Sequence, residues 1–264
     1  MSELFGLNPE LDSGLLGRIE DAGLNASAPP QQRWLDGWLL RVSPGKAKRA
    51  RCVNAVAVGQ RPAEQKLTQC AEIFAAANLP LIIRITPFTL PHSLDMQLAV
   101  QGLMRFDDTR VMVLTRLHAV DCPPLDDDCQ IREIALEPFA LRVGALRDSP
   151  IAQRQAHAQR LANAPVPFTA FELRKRDEVL ACGQFALEGD LVGLYDVFTA
   201  PHARGRGMAR LLCQHLLLRA RDMGAACAYL QVESDNLAAR AVYFRLGFVD
   251  AYSYHYRTLD PRVA

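Results

Sequence analysis

The sequence has no excess of charge of one sign. Lys and Arg number 30 and Asp and Glu 29, a formal net charge of +1 over 264 residues. That balance speaks against a non-specific nucleic-acid binder, which works by blanket phosphate neutralisation. Nor is there any Cys-x-x-Cys pair: the seven cysteines, at 52, 70, 122, 129, 182, 213 and 227, are odd in number and scattered. This argues against a disulfide scaffold or a zinc site and reads as reduced, mostly buried thiols of a cytoplasmic protein. No apolar run approaches the roughly 20 residues that span a bilayer. The start, Met1-Ser-Glu-Leu-Phe-Gly6, has neither the basic nor the apolar region of a signal peptide. Secreted, membrane and fibrous classes are therefore not expected. Apolar residues, by contrast, make up 50% of the chain against 22% charged, ample for one large domain or two compact ones.

The seam lies at Val120-Asp-Cys-Pro-Pro-Leu-Asp-Asp-Asp-Cys129, where two prolines block regular structure and Asp126 to Asp128 read as an acidic turn. It separates a unit of residues 1–122 from one of residues 129–264. In the first, a helix is expected near 8–23, then a strand at Gly37 to Val42, a turn at Pro44-Gly45 and a hairpin partner at Arg51 to Val58. Ala63 to Ala77 has the 3–4 spacing of a helix with one buried face, followed by a strand (Leu81 to Ile85), a short helix (Ser93 to Gln101) and a strand (Thr109 to Thr115). The second unit begins with a strand (Gln130 to Ile134) and one or two helices within Glu137 to Gln159. Three strands follow (Thr169 to Arg176, Val179 to Leu187, Leu191 to Thr199), then helix Ala209 to Met223, strand Ala228 to Val232, helix Leu237 to Leu246 and strand Ala251 to Arg257. The fold class is a mixed α/β (α+β) sheet with helices packed on it. The order repeats: Gly102-Leu103 holds the place of Gly247-Phe248, so the halves read as divergent copies of one fold.

The sharpest local feature is Thr199-Ala-Pro-His-Ala-Arg-Gly-Arg-Gly-Met-Ala209, between an apolar strand and a well-patterned helix. Gly205 and Gly207 clear side chains from where a ligand would touch backbone, and the amides that follow are the unpaired donors of a helix N-terminus. Amides and helix dipole together make an anion site, with Arg204 and Arg206 able to add charge. A Walker A loop is excluded because no Lys follows, and a dinucleotide fingerprint because position 210 is Arg.

These residues resemble the GNAT superfamily of N-acyltransferases. Arg204-Gly-Arg-Gly207-Met-Ala209 fits its acyl-CoA pyrophosphate pattern Gln/Arg-x-x-Gly-x-Gly/Ala. Asn236-Leu-Ala-Ala239-Arg-Ala-Val-Tyr243-Phe-Arg-Leu-Gly247-Phe248 matches its Asn-x-x-Ala-x-x-hydrophobic-Tyr-x-x-x-Gly-Phe segment. The resemblance covers about residues 129–264 and implies a GNAT-like acyl-CoA N-acyltransferase fold, here in two tandem copies, with acetyl-CoA as cosubstrate and no metal. It implies transfer of acetyl to a primary amine by direct attack in a ternary complex. The alternative is a non-catalytic acyl-CoA-binding sensor or scaffold.

The resemblance places the pantetheine arm along the strand Tyr195 to Thr199, so Val197, Phe198 and Thr199 join Arg204, Gly205, Arg206, Gly207, Met208 and Ala209 as cofactor-binding residues. Asn236 either bonds the pantetheine or caps the helix after it. Tyr243 takes the place of the family tyrosine facing the CoA sulfur and is the expected general acid, its phenol being protonated at neutral pH. Asp196, mid-strand, is the expected base, on the argument that burial raises its pKa; Glu233 is the reserve. His202 and His215 read as structural. Tyr252, Tyr254 and Tyr256 fall on one strand face, as core or as an acceptor wall, with His255 on the other. In the first unit Gly59-Gln-Arg-Pro62 has no Gly-x-Gly step, and Leu98 and Pro91 stand where Tyr243 and Asn236 would be. That unit is expected to cover the sheet or close one wall of the cleft. The acceptor is a small-molecule or protein amine; no nucleic acid or membrane partner is expected, and a homodimer stays open.

Overall fold

The computed structural model describes residues 6–43, 47–121, 123–125 and 128–263. The turn expected at Pro44-Gly45, together with Cys122, Asp126 and Asp127, lies outside them. The first half runs α1 (Ser13–Ala26), β1 (Gln32–Leu35), β2 (Trp38–Arg41), β3 (Val53–Ala55), α2 (Ala63–Ala76), β4 (Ile83–Ile85), α3 (Leu94–Val100), β5 (Met104–Leu114). The second runs β6 (Cys129–Ile134), α4 (Leu136–Leu146), α5 (Ile151–Ala162), β7 (Phe168–Lys175), β8 (Glu178–Glu188), β9 (Leu191–Thr199), α6 (Met208–Asp222), β10 (Cys227–Glu233), α7 (Leu237–Arg245), β11 (Val249–Thr258). Strand β1, where no strand is expected from the sequence, pairs with β2 through the Asp36-Gly37 turn, where both residues have positive φ. Its residues are mostly exposed, so no alternation marked it.

All eleven strands join one sheet in the order β1-β2-β3-β4-β11-β5-β10-β9-β8-β7-β6. Each half is an antiparallel meander, three strands in the first and four in the second, whose last strand pairs parallel with the strand beyond the next helix, β3 with β4 and β9 with β10. The halves then interlock. Strand β11 inserts antiparallel between β4 and β5, and β5 inserts antiparallel between β11 and β10. The last strand of each half thus completes the sheet of the other.

The matching helix ends carry the same caps. Leu103 N–H donates to Leu98 O and Gly102 N–H to Ala99 O; Phe248 N–H donates to Tyr243 O and Gly247 N–H to Phe244 O. Gly102 and Gly247 both sit at left-handed φ, +83° and +91°, which is why glycine ends each helix. The positional match of Leu98 to Tyr243 is therefore geometric as well as numerical.

Strand β5 is buried on both faces, which explains the unbroken run Val111-Met-Val-Leu114. Val111 and Val113 pack with Leu16, Ile19 and Ala22 of α1. Met112 and Leu114 pack on the other face with Leu212, Leu216 and Leu217 of α6. Leu212 and Leu216 are fully buried, so truncating either to Ala costs about 2–5 kcal/mol. A buried ion pair of the first half is tied to the second: Glu20 of α1 meets Arg84 of β4 and accepts a 2.7 Å bond from Tyr252 Oη of β11. No described helix is long and apolar enough to cross a membrane.

Candidate active site

The site is made by two strands that part. Strands β9 and β10 pair from Leu191↔Cys227 to Leu194↔Leu230 and no further, although each continues for several residues. Beyond Leu194 the edge of β9 that faces away from β8 has no strand partner among the described residues. A bulge opposite Gly183 bends β9 at this point, with Asp196 held at φ +51°. Gly193 lets Tyr195 and Tyr229 close over the branch point, since a Cβ there would lie 2.6 Å from either ring. Their hydroxyls meet at 2.9 Å. The result is a cleft of about 530 Å³ that includes Val197 and Phe198 of β9, Gln231 and Glu233 of β10, and Asn236 and Tyr243 of α7.

One end of β9 leads to the glycine loop. After a single turn at Pro201–Ala203, Gly205 and Gly207 adopt left-handed φ of +74° and +79°, and Gly207 is the N-cap of α6. No side chain caps that helix, so the amides from Met208 onward face outward unanswered. A Cβ on either glycine would meet no protein atom within 4 Å. Positive φ therefore selects glycine here, and the open space is room for a ligand. Arg206 is exposed, and the Arg204 guanidinium stacks 5.5 Å from the Phe198 ring.

Tyr243 lines the cleft with 9% of its surface exposed, and its hydroxyl makes no hydrogen bond among the described residues. Burial raises its pKa well above the ordinary phenol value, so it holds its proton throughout the neutral and mildly alkaline range. Asn236 accepts from Ala239 N at 3.1 Å and caps α7, the capping alternative of the sequence reading. Its amide hydrogens remain for a ligand.

Asp196 corrects an expectation. Burial does oppose its charge, but His157, Arg147 and Arg160 outweigh burial and hold the carboxyl well below the usual carboxylate range. Arg147 Nη1 lies 2.8 Å from Oδ1, His157 Nε2 3.2 Å and Gln184 Nε2 2.8 Å from Oδ2. A carboxylate so thoroughly paired is a poor proton acceptor, because cations would lose their partner when it protonates. Glu233 lines the same cleft, is exposed and makes no ion pair among the described residues.

Of the histidines, His202 contacts Glu178 at 2.9 Å, His215 packs edge-on against Phe171, and His255 meets Asp95 at 2.9 Å. Tyr252, Tyr254 and Tyr256 are all in the core, and Tyr254 and Tyr256 also reach the cleft. Sequence reading missed Arg147, His157 and Arg160 of the α4–α5 region and Ser27, Lys48, Arg49, Asp107 and Thr109 of the first half. None belongs to a local motif; only the interlocked sheet brings them here.

Residues 130–248 match the model of the Acetyltransferase (GNAT) family. An uncharacterized N-acetyltransferase of Bacillus subtilis, YobR, is 25% identical over 230 residues, covering 86% of this chain and 91% of that one. Among solved structures, a GCN5-related N-acetyltransferase from Kribbella flavida has a TM-score of 0.68 at 17% identity, covering 95% and 97% of the two chains. A tandem GNAT protein from the clavulanic acid biosynthesis pathway has a TM-score of 0.60 at 13% identity, covering 75% and 70%. These two likenesses are of fold. The mixed α/β sheet, the glycine loop and the family match agree: residues 130–248 are similar to the GNAT acetyltransferase family, and the chain shares the fold of GNAT proteins.

Proposed function

We propose that the chain transfers acetyl from acetyl-CoA to an amine by direct attack within a ternary complex. The observation that carries this reading is the unpaired edge of β9, which shares one cleft with Tyr243 and leads into the open N-terminus of α6. The residues fit the cosubstrate. Amides from Arg204 to Ala209 and the dipole of α6 would hold the pyrophosphate. The free backbone edge at Val197, Phe198 and Thr199 would pair with the pantetheine amides and polarise the thioester carbonyl. Asn236 would add its amide hydrogens from the far side.

In this reading Glu233 accepts the proton that the amine loses, through water, as the amine nitrogen bonds to the acetyl carbon. Tyr243 donates a hydrogen bond, and then its proton, toward the sulfur as the carbon–sulfur bond breaks. Asp196 acts indirectly, by fixing Arg147 and His157 at the bulge. Residues 129–264 are the catalytic unit. Residues 1–122 are a copy without chemistry that walls the cleft with Ser27, the Lys48–Ala50 turn and Asp107. Thiol release from acetyl-CoA across a panel of amines tests the reaction. Tight CoA binding with no amine-dependent thiol release would favour a sensor instead.

A further inference from the structure

Two arginines face the cleft with no carboxylate in ion-pair contact among the described residues, Asp196 attracting Arg160 only from beyond that range. Arg49 lies in the turn Lys48–Ala50 of the first half and Arg160 on α5 of the second; both line the cavity. Arg49 Nη1 donates to Tyr254 Oη at 3.1 Å, while its Nε is buried without a partner. Arg160 makes neither a hydrogen bond nor an ion pair among the described residues. The other charges of the cleft are matched or open to water. Lys48 Nζ sits 2.6 Å from Asp107, Arg147 is taken by Asp196, and the exposed Glu233 pairs with neither guanidinium.

A guanidinium stays protonated even where burial penalises it, as it does Arg160. Two of them converging on one cavity, with Asp196 already engaged by Arg147 and His157 and reaching Arg160 only at longer range, are costly in the empty protein, and an anion bound between them relieves that cost. The phosphates of CoA do not supply it, because the loop Arg204 to Ala209 does not line this cavity. The anion must therefore enter with the other substrate. Planar guanidinium forks match a carboxylate, and Tyr254 and Tyr256 give the same wall an aromatic surface.

We propose that the acceptor is an amine carrying a carboxylate, of the free amino acid class, whose carboxylate is bound between Arg49 and Arg160 while its amine points to β9 and Glu233. This rests on the acetyl-transfer reading above, and the experiment separates the two. The full-length chain is assayed for thiol release with α-amino acids and with their matched carboxamides, which keep the amine and side chain but lose the negative charge. CoA affinity is measured separately by calorimetry. The expected result is transfer to at least one amino acid with kcat/KM roughly 30-fold or more above that for its carboxamide. Arg160→Gln and Arg49→Gln should each lower kcat/KM for the acid about tenfold or more, chiefly through KM. The same variants should leave the carboxamide and the CoA affinity within about threefold, and unchanged melting temperatures would show that they fold. Equal use of acids and carboxamides, use of neutral amines only, or equal loss on both in the variants would overturn the carboxylate site and leave acetyl transfer standing. Weakened CoA binding in Arg160→Gln would reassign that guanidinium to CoA and overturn it too. A wild-type chain that binds no CoA would strike the acetyl-transfer reading itself, and this proposal with it.

Discussion

The chain contains the same strand–loop–helix unit twice, and the two loops differ in what answers their amides. Before α6 the Gly205–Gly207 loop leaves the helix N-terminus open, with space around both glycines. Before α2 the Asp36 carboxylate accepts from Gln60 N at 2.9 and 3.0 Å and from Arg61 N at 2.8 Å. A Cβ on Gly59 would fall 2.1 Å from Asp36 O. These amides hold the Asp36 carboxyl below its ordinary pKa, so the internal anion persists at neutral pH. Lys66 closes the arrangement from beneath, 1% exposed, donating to Val58 O at 2.5 Å and standing 4.5 Å over the Trp38 ring. The first loop carries its own anion; the second is free to take one from a ligand. Leu98 and Tyr243, fixed by identical helix caps, differ in the same sense: one packs a core, the other presents a phenol to a cleft.

The sharpest way to break the contrast is Gly207→Val. A β-branched residue at φ +79° is strained by about 1–3 kcal/mol, and its methyls would fill the space before the amides. CoA affinity should fall by roughly 100-fold or more in calorimetry, while Arg219→Ala, on the exposed face of α6, should leave it unchanged. Next in size, Tyr243→Phe should lower kcat by roughly 10²-fold with CoA affinity little altered, the low end for loss of a general acid. The raised pKa of Tyr243 sets a sign as well: the proton is held as pH rises, so the wild-type rate should show no alkaline decline from this group below about pH 10. A decline near pH 8 that vanishes in Tyr243→Phe would refute the assignment.

Asp196→Asn should act on stability rather than on proton transfer. Its folded pKa lies below the unfolded value of about 3.9, so its ion pairs stabilise the fold above that value and fade as pH falls through the depressed folded one. The loss should be about 1–3 kcal/mol, constant from pH 5 to 8 in denaturant melts, and smaller in acid. A pH-rate profile shifted by the substitution would instead restore Asp196 as the base. The smallest expected effect is on stoichiometry. Wild type should bind one CoA per chain, and Asp36→Ala should still bind one, because Pro62 supplies no amide to the vacated loop. Two CoA molecules per chain in that variant would mean that the carboxylate alone keeps the first loop closed.

Much of the second half was legible because its signals are local. The glycine loop, the helix after it and the segment from Asn236 to Phe248 depend on backbone conformation and spacing within a few residues, and all form as expected. Asp196 was readable as a special position but not in its ionisation. Its partners Arg147 and His157 lie some 40 to 50 residues away in sequence, on helices whose packing no local pattern records. Strand β1 escaped because an exposed edge strand has no buried face to impose alternation.

By itself the sequence determined the element order, the repeat of that order, the glycine loop and the placement of Tyr243. These follow from 3.6- and 2-residue periodicities and from residues with unusual backbone freedom, which act at short range. Only the tertiary structure decided that β5 and β11 exchange places between the halves, that Asp36 fills the first loop, and that Arg49 and Arg160 meet over one cleft. Strand exchange depends on which free edge pairs with which, and the charge of a cleft is a sum over residues from both halves. Both are settled by long-range packing, which no local pattern in the chain encodes.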